Sequence, residues 1–406
     1  MKYNFDEIID RCHTNALNTD GFRSYIFHAC PEKQFPYKDE EFVRMWVADM
    51  EFATPPEICD EIVNRVERRI FGYTKIFDTD YYEALKNWCK AHYGWYFPQK
   101  ELVFSSGIIP AMYELVEELL ESDEKMLIVT PAYGFFQHAA EYNQIELVCS
   151  PLRKENGHFT IDFDDLEKKA ADPKMKLILW CNPHNPSGRM WTEEELKRVA
   201  DITEKNNLWI ISDEIHCDLI RKGNRHIPMG KIMPDYNKLI TCMSASKTFN
   251  MAGLMFSNII IRNETLRERF CARDKNVGFV NPLSIAAHKA AYEKCYDWLE
   301  QLQEYLDGNF QFLDNYLKEF LPKAVFEIPE ATYLAWVDMH AYLSDVEDLP
   351  AFFANEAGVL LEGGDDLFVG NAKGYIRLNL AMPRSIIKRG MEQIREAVIR
   401  HNKKDI

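Results

Sequence analysis

Lys247 lies in Ser244-Ala-Ser-Lys247-Thr, directly after an apolar run at 238–242. A lysine withdrawn from water sheds its proton and can condense with an aldehyde. An acid holds a matching place: Asp213, in Asp213-Glu-Ile-His216, follows the run at 208–212. A carboxylate there can keep a pyridine nitrogen protonated, which makes the ring a stronger electron acceptor. Ser244 and Ser246 offer hydroxyls to a phosphate. Asn185, held in the Pro-bounded loop Asn182-Pro-His-Asn185-Pro-Ser-Gly188, has an amide for a phenolate oxygen. Gly107, with Ile108 and Ile109 after it, reads as a turn opening a helix, where free backbone amides bind phosphate. Tyr133, in Thr130-Pro-Ala-Tyr133-Gly, can stack on a flat ring. Arg377 is a cation inside the apolar stretch Tyr375-Ile-Arg377-Leu-Asn-Leu, which is costly without an anion, and both guanidinium arms suit a carboxylate. Each feature alone has an ordinary structural explanation: a helix cap, an exposed lysine, an Asn-Pro turn, a core tyrosine. Together they suit a pyridine ring carrying a phosphate and an aldehyde.

Such groups must be brought to one place by the elements that carry them. From about residue 53 to residue 291, helical stretches alternate with short apolar runs at 102–104, 124–130, 145–149, 176–181, 208–212, 238–242 and 257–261. Runs apolar on both faces and ending in Pro, Asn, Ser or Asp are expected of strands buried in a mostly parallel sheet. Helical spacing falls at 131–142, 162–171 and 192–206, the last opened by a capping box, Thr192-Glu-Glu-Glu195. After Pro282 the pattern predicts one long amphipathic helix over 284–319, strands at 324–328, 333–338 and 375–379, and a closing helix over 384–401. The expected fold class is α/β, with a large domain over 53–290 and a smaller α+β domain formed by 291–406 with the segment 1–52. In such a sheet the ligand site lies beyond the carboxyl ends of the strands.

The 406 residues are 47% hydrophobic and 28% charged, which suits a globular chain with one large core or two. Forty-eight basic against 64 acidic residues give a formal net charge of −16, which disfavours a nucleic-acid partner. The 10 cysteines stand singly without a Cys-x-x-Cys pair, as expected of reduced, buried thiols in a cytoplasmic protein and not of a metal site. Residues 1–10 already carry Asp6, Glu7 and Asp10, so no signal peptide is expected. No run approaches the roughly 20 apolar residues needed to span a bilayer, and no membrane partner is expected.

The motifs around Asn185, Asp213 and Lys247, in that order and each at an expected strand end, resemble those of a fold-type I pyridoxal-phosphate enzyme of the aspartate-aminotransferase superfamily. Within it the chain looks like the MalY/PatB-type cystathionine β-lyase branch. The likeness rests on Met45-Trp-Val-Ala-Asp-Met-Glu-Phe52, Ile70-Phe-Gly-Tyr73-Thr, Ser106-Gly-Ile-Ile-Pro-Ala111 and Ile376-Arg377-Leu-Asn-Leu-Ala-Met-Pro383. The resemblance implies a pyridoxal 5′-phosphate cofactor bound through Lys247, with Asp213 at the pyridine nitrogen, Asn185 at the ring oxygen and Tyr133 on the ring. Gly107, Ile108, Ile109, Ser244 and Ser246 would serve the phosphate. Arg377, with Ala48 and Asn185, would meet an amino-acid substrate. Tyr73 would reach the phosphate in the other subunit, which implies a homodimer with shared active sites.

Two positions depart from the wider superfamily: His216 stands where many relatives have Tyr, and Met255 where many have Arg. Both agree with the lyase branch. The implied reaction is β-elimination from L-cystathionine or a related cysteine S-conjugate, giving a thiol, pyruvate and ammonia. An aminotransferase acting on an amino acid and a 2-oxo acid is the alternative, since it shares every residue above. Residues 361–368 with Tyr25, Phe27 and Trp46 are candidates for the side-chain pocket.

Overall fold

The computed structural model describes residues 2–155, 158–273, 279–364 and 367–403. Its centre is a seven-stranded sheet built from Leu102–Ser105 (β1), Lys125–Thr130 (β2), Glu146–Pro151 (β3), Met175–Cys181 (β4), Trp209–Asp213 (β5), Leu239–Met243 (β6) and Ser257–Ile261 (β7). The order across the sheet is β1-β7-β6-β5-β4-β2-β3. Neighbours from β6 through β3 are parallel, whereas β7 runs against both β6 and β1. The expected mostly parallel sheet is present, with one reversed strand. β6, β7 and most of β4 and β5 are fully buried, because helices cover both faces and only apolar side chains satisfy both.

Between β2 and β4 the winding changes direction: the chain goes outward to β3 and returns to the other side of β2. That break leaves a crevice at the carboxyl ends of the strands. Ile108–Leu119 (α1) and Gly134–Tyr142 (α2) border it, and Glu193–Lys205 (α3) follows β4 in the chain. The expected capping box forms at α3: the Thr192 hydroxyl accepts from the Glu195 amide at 3.1 Å and the Thr192 amide donates to the Glu195 carboxylate at 2.8 Å.

Two expectations change. The helix predicted over 284–319 is two helices, Pro282–Lys294 (α4) and Tyr296–Phe320 (α5), broken at Cys295. Cys295 is itself fully buried, so the apolar spacing runs through the break with no Gly or Pro to mark it. The run at 324–328 is not a strand and makes one bridge, Val325 to Asp338; a short apolar run reads alike as strand or as packed coil.

A second, three-stranded sheet joins Leu334–Asp338 (β8), Glu362–Gly363 (β9) and Tyr375–Asn379 (β10), with β10 in the middle. Its core includes Phe310, Leu313, Ile376, Leu378 and Ile394, the last from the closing helix Arg384–Lys403 (α6). The amino-terminal segment lies across both cores. Phe5, Met50 and Phe52 pack with the first core, while Val43 and Met45 pack with the second. Val43–Arg44 also pairs in parallel with Val359–Leu360. This crossing brings residues 46–49 over the strand ends.

Candidate active site

A cavity of about 240 Å³ opens at those ends, and its wall is assembled from distant parts of the chain. Lys247, Ser246, Asp213, His216, Asn185 and Tyr133 reach it from the loops after β6, β5, β4 and β2. Gly107, Ile108 and Ile109 enter from the start of α1, Ala48 from the amino-terminal segment and Arg377 from β10. The sequence motifs thus converge on one place.

The Lys247 ammonium donates to the carbonyl of Ala48, which also accepts from the Tyr333 hydroxyl at 2.8 Å. Burial holds the Lys247 amine down at about 8, from an ordinary value of 10.5, with Arg377 pressing in the same direction and Asp49 and Asp213 opposing it. Asp213 moves the other way. Burial pushes its carboxyl up to about 7, although it accepts from the Ile215 amide at 3.2 Å. Burial, Lys247 and Arg377 together depress the His216 ring to about 3, so it is neutral at physiological pH.

Several polar atoms in this wall have no hydrogen-bond partner among the described residues: Asn185 Oδ1, His216 Nδ1, and Nε and Nη1 of Arg377. Arg377 is buried, and Nη2 donates to the Trp46 carbonyl at 3.0 Å. That bond fixes the guanidinium while leaving Nε and Nη1 without a protein acceptor among the described residues. Buried donors and acceptors left in this state cost about 1–3 kcal/mol each, so the wall is built to be completed by a polar molecule.

Gly107 has an extended backbone, and a Cβ there would stand 3.1 Å from the Pro110 ring. The first intrahelical acceptor is the Gly107 carbonyl, taken by the Ala111 amide. The amides of Ile108 and Ile109 therefore have no intrahelical acceptor and can serve an anion. Tyr133 is stacked on Phe135, with ring centroids 5.0 Å apart.

Two of the expected residues lie elsewhere. Ser244 is behind the wall, where its hydroxyl donates to the Phe256 carbonyl at 2.8 Å and accepts from the Ser246 amide at 3.1 Å. Its geometry shapes the turn that presents Ser246. Tyr73 is 94% exposed, outside the cavity of its own chain, with its ring against Phe279. Of the side-chain pocket candidates, Trp46 and Tyr25 meet with tilted rings, 5.1 Å between centroids, and Asp365 and Asp366 lie outside the described residues.

Met255, singled out by the resemblance, lines the cavity, whereas sequence reasoning missed its neighbours Phe256 and Ser257. The polar residues of parallel strands fall at their carboxyl ends, whereas β7 is reversed and presents its start to the site. Tyr333 was also missed; within an apolar strand run its type signals only packing.

The donor set fits pyridoxal 5′-phosphate: an amine for its aldehyde, an acid for its ring nitrogen, an amide beside its ring oxygen, and helix-start amides with Ser246 for its phosphate. The fold is the fold-type I fold of pyridoxal-phosphate-dependent transferases. The chain belongs to the aminotransferase class I and II family, whose model matches residues 41–394. Among curated proteins it is 35% identical to cystathionine beta-lyase PatB of Bacillus subtilis, over 87% of this chain and 92% of that one. It is 31% identical to the protein MalY of Escherichia coli, over 87% and 90%. Among solved structures, a PLP-bound C-S lyase from Staphylococcus hominis shares 48% identity with a TM-score of 0.93, covering 98% of both chains. Cystalysin from Treponema denticola, which contains pyridoxal 5′-phosphate, is 32% identical with a TM-score of 0.88, over 98% and 99%.

Proposed function

We propose that the protein is a pyridoxal-phosphate-dependent carbon–sulfur β-lyase acting on L-cystathionine or related cysteine S-conjugates. The observation that carries this reading is the likeness, at 48% identity over 98% of the chain, to a C-S lyase, joined to a cavity that holds Lys247, Asp213 and Arg377 together. When bound, the cofactor supplies an aldehyde carbon for the substrate amine and a ring that takes up the electron pair released at Cα.

The chain's own residues do the rest. Arg377 receives the α-carboxylate on the guanidinium donors that the protein leaves unpartnered and so fixes which way Cα faces. Asp213 stands where a ring nitrogen can be kept protonated, and a positive partner there would draw its carboxyl down from about 7. Lys247, depressed to about 8, holds a substantial neutral fraction near pH 7–8 and can take the α-proton at Nζ. The C–S electrons leave with sulfur as thiolate, and one water completes the conversion of the three-carbon remainder to pyruvate and ammonia. Tyr133 packs one face of the site, and Ala48, Ile108 and Ile109 keep bulk water from it.

The same reading includes a homodimer in the cytoplasm. Tyr73 serves the cofactor phosphate in the partner, which is supported by its exposure beside the exposed apolar side chains Ile70, Phe71 and Phe77. It also includes the division into 53–290 and the combination of 1–52 with 291–406, supported by the separate seven-stranded and three-stranded sheets, while Phe5, Phe52, Trp298 and Leu302 pack into the core of the larger part. The test is release of pyruvate from L-cystathionine by the purified holoenzyme with no 2-oxo acid added. Absence of pyruvate, with a stable amine form of the cofactor accumulating from methionine or alanine, would replace the lyase by an aminotransferase.

A further inference from the structure

Directly behind Lys247 lies a second polar cluster that the proposed chemistry does not use. Asp218 is 5% exposed and contributes nothing to the cavity wall. Its Oδ1 accepts from Trp88 Nε1 at 3.0 Å and from the Tyr93 hydroxyl, and its Oδ2 accepts from the Thr248 hydroxyl at 3.0 Å. The Tyr93 hydroxyl is also 3.2 Å from Cys217 Sγ. Trp88 and Tyr93 belong to the helix Asp80–Tyr93, so one buried carboxylate ties that helix to two loops of the site. One is its own loop, which begins at Asp213. The other follows β6 and carries Lys247 immediately before Thr248.

We propose that Asp218, acting through Thr248, is a positioning residue that holds the Lys247 amine at the Ala48 carbonyl and out of water. The inference rests on the lyase reading only for the statement that this amine does the chemistry. A carboxylate is taken from water at a steep cost unless donors replace the lost hydration, and here a helix spends an indole and a phenol on doing so. The loop side receives a single bond, Thr248 to Oδ2, and that bond sits one residue from the amine. Lys247 faces Asp49 from the amino-terminal segment, Asp213 and His216 from the β5 loop, and Arg377 from β10. Asp218 is not among the charges that shift it, so its action is through geometry. With the Thr248 anchor gone, the Lys247 stem gains freedom, water reaches Nζ, and its titration moves upward towards that of a free lysine.

The test is the pH dependence of Lys247 acylation by a small amine-reactive ester, read by mass spectrometry on the full chain freed of cofactor, beside kcat and KM of the holoenzyme. Thr248→Val, which keeps the shape and loses the hydroxyl, should raise the Lys247 midpoint by about one pH unit and lower kcat about tenfold with KM within about twofold. Thr248→Ser should restore both. Tyr93→Phe, which removes one donor from Asp218, should move the midpoint in the same direction by less. A Thr248→Val protein whose melting temperature falls while the midpoint stays would make the cluster purely structural and overturn the proposal. If Thr248→Val does not fold, an unchanged midpoint in Tyr93→Phe overturns it. Failure of wild-type pyruvate release would remove the lyase reading and leave the amine titration to decide this one.

Discussion

The loop that leaves β5 carries two kinds of acid within six residues, and they differ in what is left for them to bind. Asp213 lines the cavity and accepts one backbone hydrogen bond, and His216 beside it keeps Nδ1 without a partner among the described residues. Glu214 turns inward. Its Oε1 accepts from the Ser212 hydroxyl at 2.8 Å and the Met229 amide at 2.9 Å, and its Oε2 lies 2.8 Å from His226 Nε2. Asp218 likewise has three donors. In this loop the saturated acids hold the chain in place, and the groups that line the cavity keep hydrogen bonds for a ligand. The distinction lies in direction, since both kinds are buried and both are Asp or Glu.

Variants on the two sides should therefore fail differently. Lys247→Ala should reduce pyruvate release from thioether amino acids by about 10³-fold or more while the protein stays folded, because the amine is the group that moves the proton. Residual turnover within tenfold of wild type would remove Lys247 from the chemistry. Arg377→Lys should cost about 100-fold in kcat/KM, roughly the worth of a charge-assisted bidentate contact, since an ammonium cannot bond Trp46 and a carboxylate with the same geometry. The measurement is steady-state kinetics, and the loss should fall largely on KM.

On the saturated side, Glu214→Gln should lower unfolding free energy by about 1–3 kcal/mol in denaturant titration while leaving kcat within about threefold. A large kcat loss at unchanged stability would erase the contrast between the two acids. A further expected effect is one of pH. Burial disfavours the charged amine, so Lys247 in the native, cofactor-free chain should be acylated with a midpoint near 8, against 10.5 for an ordinary lysine. In strong denaturant the midpoint should return to about 10.4.

Much of this site is legible in order of residues. Asn185, Asp213 and Lys247 each follow an apolar run, and parallel strands buried on both faces leave their polar residues at the carboxyl ends. Gly107 and Tyr133 are found by the same rule. Ser244 shows its limit: two serines two residues apart look equivalent, yet one hydroxyl is consumed by the Phe256 carbonyl and the other reaches the cavity. The break at Cys295 and the reversed β7 were not legible, because apolar spacing reports burial and carries no sign for strand direction.

Residue types and spacing alone determined the alternation of helices and buried strands, the convergence of an amine, an acid, an amide and a helix start, and the family resemblance. Only the tertiary structure decided that Ala48 offers its carbonyl to Lys247 across 199 positions of chain and that Arg377 is fixed by Trp46 from 331 positions away. It also decided which acids of one loop are saturated. Local sequence sets backbone preference and hydrophobic period, whereas the partner of a buried polar atom is set by which distant segment packs against it.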